Sequence, residues 1–275
     1  MKRLLLAACC FFLCLAASGQ EQLPLRNTGE VPYRAGEKIK ASLHYKWGII
    51  NADVGTLTFT VDTAYYKGKK VWHARCYGQS VRLVEAFFKL REDYQSWFTV
   101  DGLVPLRATR VSREGSYWAN DVFEYDWRAG VIHAALENKS AGAFTKDLPV
   151  KMPIYDLPSI IYYARNADVT RLKPGTSYEL PLAVDQGIVA IRLKYLGPDE
   201  VSVPGVGRIR AYKFACGTLK NETYSGEDAY LWFSADANRI PVYMELPIVK
   251  GFVRARLSGW EGLVAPMDAL VSSAR

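Results

Sequence analysis

Three histidines, a few carboxylate pairs and a run of aromatic residues are the side chains of this sequence with types suited to chemistry. His44, His73 and His133 each stand alone in a stretch where apolar and polar residues alternate. No His-x-x-x-His, Cys-x-x-Cys or Glu-x-x-His spacing accompanies them, and a metal site or a general base needs partners at such spacings. They read as strand residues, and no cofactor or metal is expected. Paired acids are the second source of chemistry, because two carboxylates cleave a glycosidic bond without any local motif. Glu85, Glu92 and Asp93 flank a predicted helix, while Glu124 and Asp126 share one face of a predicted strand. Acids two apart on a strand are ordinarily a solvated face, and catalysis would need them about 5 Å apart with split pKa values. Sequence motifs for a serine nucleophile elbow, a phosphate loop or a dinucleotide site are missing. Gly205-Val206-Gly207 precedes a strand and reads as a hairpin turn.

The aromatic residues Tyr45, Trp47, Tyr94, Trp97, Phe98, Tyr117, Trp118, Tyr125 and Trp127 fall on successive predicted strands. Core packing accounts for most of them, since strands favour aromatics. The same rings could line a pocket for an amphiphile or a carbohydrate. Cys76 and Cys216 also lie in alternating segments. They could form one disulfide in an oxidising compartment or remain two separately buried thiols.

The elements that must position these groups follow from hydropathy. Lys2 and Arg3 precede an uncharged run, Leu4 to Leu15, and then Ala16, Ala17, Ser18 and Gly19. That order reads as a cleavable export signal over residues 1–19, cut before Gln20. Cys9 follows Leu6-Ala7-Ala8 as a lipidated cysteine would, but the apolar run ahead of it is too short for that processing. The expected product is exported, in the periplasm or at the outer-membrane periphery. An extension (20–35), one β-rich domain (36–263) and a C-terminal tail (264–275) complete the division.

Most of the domain alternates with period two, as in Ile39-Lys40-Ala41-Ser42-Leu43-His44-Tyr45. Such alternation puts one strand face on a core and the other in water, and turn signals punctuate the strands. Two stretches keep helical spacing instead. Val81, Val84, Phe87 and Phe88 form one, and residues 156–166 the other, with Asp156 placed to cap it and Pro158 in its first turn. Residues 138–155 carry few signals and read as a linker or long loop. The fold class is therefore mainly β: a single large antiparallel curled sheet or barrel-like fold with two short helices.

Charge narrows the partners. The chain carries a formal +7, which falls to +5 without the signal, and its basic residues are interspersed with acids. No cationic run tracks phosphates, so nucleic acid is not expected as a partner. No stretch after the signal has the uncharged length of a transmembrane helix. An outer-membrane barrel is disfavoured because Arg254 and Arg256 share one strand face, as do Arg208 and Arg210.

Several ordered motifs carry a family likeness. Gly36-Glu37 precede a strand ending Tyr45-Lys46-Trp47-Gly48, followed by Asp53-Val54-Gly55 and by Phe88-Lys89-Leu90-Arg91-Glu92-Asp93-Tyr94. Asp156-Leu157-Pro158-Ser159 leads to Tyr162-Tyr163-Ala164-Arg165, and Trp232 precedes Asp236-Ala237-Asn238-Arg239-Ile240-Pro241. In this order they resemble the Domain of Unknown Function 3108 family of exported bacterial proteins, common in Bacteroidetes. The resemblance implies an exported β-rich fold and transfers no catalytic residue. Within these motifs Arg91, Arg165 and Arg239 either pair with carboxylates or, if they face one cavity, suit an anionic headgroup. The functional expectation is a non-enzymatic envelope domain that binds an amphiphilic or carbohydrate ligand or another envelope component. The alternative is a carbohydrate hydrolase using a carboxylate pair.

Overall fold

The computed structural model describes residues 22–26, 29–86, 89–217 and 228–274. The predicted signal with its cut before Gln20, Cys9, and the helical positions Phe87 and Phe88 lie outside the described residues. Within them the chain forms strands β1 (Glu37–Trp47), β2 (Ile50–Tyr66), β3 (Lys69–Ser80), β4 (Leu90–Thr99), β5 (Pro105–Glu114), β6 (Tyr117–Asp126), β7 (Val131–Asn138) and β8 (Gly142–Pro149). After helix α2 (Leu157–Arg165) come β9 (Ser177–Val184), β10 (Gly187–Val203), β11 (Gly207–Cys216), β12 (Ala229–Ser234), β13 (Pro241–Ile248), β14 (Gly251–Glu261) and β15 (Leu270–Ser273). A one-turn helix, α1 (Arg82–Glu85), joins β3 to β4.

All the strands join one antiparallel sheet in the order β8-β7-β6-β5-β4-β3-β2-β1-β14-β13-β12-β11-β10-β9, with β15 added beside β11. Two meanders are thus joined where β1 pairs with β14. The curled sheet is not closed by a β8–β9 ladder. Instead Tyr155 lies along β9, its N–H donating to Pro181 O at 2.9 Å and its carbonyl accepting from Ala183 N at 2.7 Å. Lys146 Nζ also reaches across this seam to Gln186 O at 2.7 Å.

α2 fills the interior. Asp156 caps it, accepting from Ser159 N at 3.0 Å while Ser159 Oγ accepts from Asp156 N at 2.9 Å, a reciprocal capping box. The helix packs against β3, β4 and β9. On one side Ile160 joins Tyr178, Leu180, Leu182, Tyr195 and Phe214. On the other, Tyr162 joins Val61, Ala74, Phe98 and Tyr33. Burying side chains of this size contributes about 1.5–3 kcal/mol each. Among the described residues no helix is long and apolar enough to cross a membrane.

The stretch 138–155, expected as a linker or long loop, contains β8. On this edge strand only Leu148 is buried and only Phe144 half-buried, too few sheltered positions to mark an alternation. The flanking segments are packed as well. Tyr33 is buried edge-on against Trp72 and Tyr162, and Ala269 is fully buried beside β15.

Candidate functional site: a polar wall inside the sheet

The registers stack the inward-facing residues of β2 to β6 in rows. One row runs Leu57, Gly78, Glu92, Ser112, and the next Phe59, Cys76, Tyr94, Arg110, Asp121. A third runs Val61, Ala74, Ser96, Ala108, Phe123. On β2 and β3 these positions are mostly apolar. On β4 to β6 they are mostly polar, Ala108 and Phe123 excepted, and Glu92, Arg110, Ser112, Glu114 and Asp121 are all buried. An inner wall of this kind must be held by internal hydrogen bonds or exposed to a polar partner.

Arg110 stands at its centre. Nη1 donates to Asp121 Oδ2 at 3.2 Å and also to Asp185, which the β9–β10 turn brings across the seam. Nε and Nη2 are buried and have no hydrogen-bond partner among the described residues. Those two atoms form the side of the guanidinium that grips paired oxygens. Arg75 uses the same two atoms on Asp93, at 2.7 and 2.8 Å. One strand away from Arg110, Glu92 Oε1 accepts from Ser112 Oγ at 2.6 Å, while Oε2 is buried with no hydrogen-bond partner among the described residues. A cleft of about 20 Å³, room for a water molecule, is lined by Arg110, Tyr94, Asp156, Leu182 and Asp185.

Burial governs the ionisation of this wall. It raises the Glu92 carboxyl from 4.5 to about 7, against the opposing pull of Ser112 and Arg110. It lifts Asp121 to about 6 despite Arg110, and Asp156 to about 6 despite the Ser159 and Ser96 hydrogen bonds. Burial would lower Arg110, but Tyr94, Asp185, Asp121 and Glu92 outweigh it and keep the guanidinium charged. The wall therefore holds one fixed cation, carboxylates around it, and a Glu92 that accepts or donates near neutral pH.

The residues singled out from sequence lie elsewhere and do not converge on one cavity. Arg165 is fully buried on α2, its Nη1 and Nη2 donating to Glu37 Oε1 and Oε2 at 2.6 and 2.8 Å. Arg91 binds Glu85 and the Leu90 carbonyl. Arg239, in the β12–β13 turn, donates Nε to Asp236 O at 2.9 Å and lies 4.6 Å from the Tyr212 ring centre. Burial, with Arg26 nearby, holds its guanidinium below the ordinary value. Cys76 and Cys216 are free thiols in separate core clusters, Cys76 beside Ile39 and Phe59, Cys216 against Ala229 and Leu246.

Of the acid pairs, Glu92 alone joins the wall. Glu124 is held on the outer face by Tyr66, Lys67 and Arg107, whose hydrogen bonds outweigh burial and keep it below the usual carboxylate range. Asp126 accepts from the backbone of Arg128 and Ala129 in a turn. His44 bonds Asp53 and Asn51, His73 stacks on Trp97, and His133 bonds Asp147. Among the described residues no three metal-binding side chains converge. Arg110, Asp121, Asp185 and Glu114 were not singled out from the sequence, because β5 is polar on both faces and alternation cannot tell which side is inner.

An open, curled antiparallel sheet around one helix defines the class as a barrel-like all-β domain. The family described as "Protein of unknown function (DUF3108)" matches residues 40–258, and the chain belongs to it. Among solved structures, a β-barrel-like DUF1849 protein from Brucella abortus aligns over 84% of this chain and 99% of its own, with a TM-score of 0.53 at 11% identity. A Bacteroides fragilis protein with a YmcC-like fold covers 84% of this chain and 98% of its own, with a TM-score of 0.35 at 11% identity. No curated protein matches the chain.

Proposed function

We propose that the protein is exported to the periplasm or outer-membrane periphery and binds a neutral polyhydroxy ligand, of the carbohydrate class, without altering it. The observation that carries this reading is the pair of Arg110 donors, Nε and Nη2, that have no hydrogen-bond partner among the described residues, beside the Glu92 carboxyl, whose Oε2 has none among them either and which Tyr94 also approaches. A hydroxyl both accepts and donates, so two neighbouring hydroxyls complement this set, accepting from Nε and Nη2 and donating to Oε2. Three carboxylates around one guanidinium disfavour an anionic ligand. The interior occupied by α2 counts against a deep pocket for an acyl chain. The cleft beside Arg110, which Glu92 does not line, has room for about one hydroxyl, so a ligand's hydroxyl edge must widen it to reach Glu92 as well. Export is supported by the charge, apolar run and small residues at the start of the chain.

Calorimetric titration of the mature chain with a panel of neutral saccharides tests the proposal. We expect binding that Glu92→Gln and Arg110→Lys each weaken by about tenfold or more, since lysine lacks the planar fork. Circular dichroism checks that both variants fold. Absence of binding, or binding indifferent to both substitutions, would refute it. One observation favours a second, hydrolytic reading: Glu92 titrates at about 7, where a general acid operates. Product release from a bound saccharide, abolished in Glu92→Gln, would establish that instead.

A further inference from the structure

We infer that two neighbouring hairpin tips, flanked by α1, form a docking surface for an anionic lipid bilayer. The β1–β2 and β13–β14 turns are side by side because β1 pairs with β14, with Lys46 opposite Phe252. Tyr45 Oη donates to Lys250 O at 2.7 Å, and Lys250 Nζ lies 5.3 Å from the Trp47 ring centre, so the two tips hold each other. Tight turns are ordinarily built from Gly, Asn, Asp and Ser. These tips carry Trp47, Ile49 and Ile50 on one hairpin and Val249 and Phe252 on the other. Ile49 is 102% exposed, and the other four are each 38% exposed or more.

α1 is tied to the same ribbon by Val81 N donating to Val54 O at 3.0 Å, and it presents Leu83 at 82% exposure. Exposed apolar side chains are common singly on soluble proteins, but a contiguous patch marks a contact site.

The charges around the patch identify the occupant. Lys46, Lys250 and Arg82 are exposed beside the apolar residues. Of the nearby acids, Glu85 pairs with Arg91, while Asp53 contacts the His44 ring and keeps its charge unless that ring is protonated. Large aliphatic side chains, a tryptophan and exposed cations on these tips match the interface of a bilayer bearing negative headgroups. This inference is independent of the saccharide site, whose inner wall the tip residues do not enter.

Co-sedimentation of the purified mature chain with phosphatidylglycerol-containing and purely phosphatidylcholine vesicles tests it. We expect binding to the former, at least about tenfold weaker to the latter, and weakening as salt rises. Ile49→Asp, at a fully exposed position that leaves the fold intact, should abolish it, and Lys46→Glu with Lys250→Glu should weaken it severalfold. Failure of the unmodified chain to sediment with anionic vesicles would overturn the inference, as would binding unaffected by Ile49→Asp. A concentration-dependent dimer that Ile49→Asp dissolves, without vesicle binding, would overturn it in favour of a second copy of the chain.

Discussion

Two buried arginines, Arg165 and Arg110, occupy the same sheet interior under opposite conditions. Arg165 meets one carboxylate, Glu37, through both terminal nitrogens, and Nη2 adds the Pro32 and Asn238 carbonyls at 3.0 and 2.8 Å. Tyr33 and Tyr162 face its guanidinium with ring centres at 5.3 and 5.0 Å. Charge is balanced one to one, and the group locks the end of α2 to β1 and to the β12–β13 turn. Arg110 uses a single nitrogen, on two aspartates, and leaves its bidentate edge unengaged within a surplus of acid. Equal burial therefore does not mean equal role. Arg165, which leaves only Nε without a partner among the described residues, fixes the helix, whereas Arg110, which leaves both Nε and Nη2, is where a ligand can add hydrogen bonds the protein does not make itself.

The largest effect should come from breaking the closed arginine. Arg165→Met strands Glu37 without its cation in the interior and should cost about 3–5 kcal/mol in urea unfolding. Combining it with Glu37→Leu should recover most of that loss. If the double variant remained as unstable as the single one, the pair would not be the unit that holds α2.

The open arginine should instead announce itself through pH. The Glu92 carboxyl sits above its ordinary value, so the folded chain holds a proton that the unfolded chain has already released between pH 4.5 and about 7. The unfolded state then binds fewer protons, and stability must fall as pH rises through that window and level off above it. Asp121 and Asp156 add to the fall between 3.8 and about 6. Glu92→Gln should flatten the upper part of the curve and stabilise the protein above pH 7 by up to about 3 kcal/mol. Because Glu124, Asp168 and Glu261 lie below their ordinary values and pull the other way, the test is the difference between the two chains, and a Glu92→Gln curve parallel to that of the unmodified chain would show that Glu92 is solvated.

The smallest effect concerns the thiols beside these regions. Burial pushes Cys216 up to about 12 and Cys76 higher still, so neither should react with a thiol reagent in the native state. After unfolding in the absence of reductant both should label. A chain in which neither labels would carry the Cys76–Cys216 bridge and would sit differently around β3 and β11.

Much of the frame was legible from the residues. The alternation of β1, β3 and β11, the Asp156 cap and Pro158 in the first turn of α2 each have a local cause, so local pattern found them. β8 escaped because an edge strand that shelters only Phe144 and Leu148 has too little reason to alternate. The polar wall escaped for a related reason. In Arg107-Ala108-Thr109-Arg110-Val111-Ser112-Arg113-Glu114 polar residues fall on both faces, and only the curl of the sheet decides that Arg110, Ser112 and Glu114 turn inward. Asp185 reaches Arg110 from 75 residues further along the chain, and no spacing rule links them. Arg165, Arg91 and Arg239 were visible as motif residues, but their partners were not.

The most direct test is a crystal structure of the mature chain soaked with the tightest-binding saccharide, grown at a pH above the Glu92 value of about 7. Two ligand hydroxyls should lie within hydrogen-bond distance of Arg110 Nε and Nη2, with one donating to Glu92 Oε2. Finding the Glu92 carboxylate folded onto that edge of Arg110, with the saccharide bound on another face, would contradict the assignment.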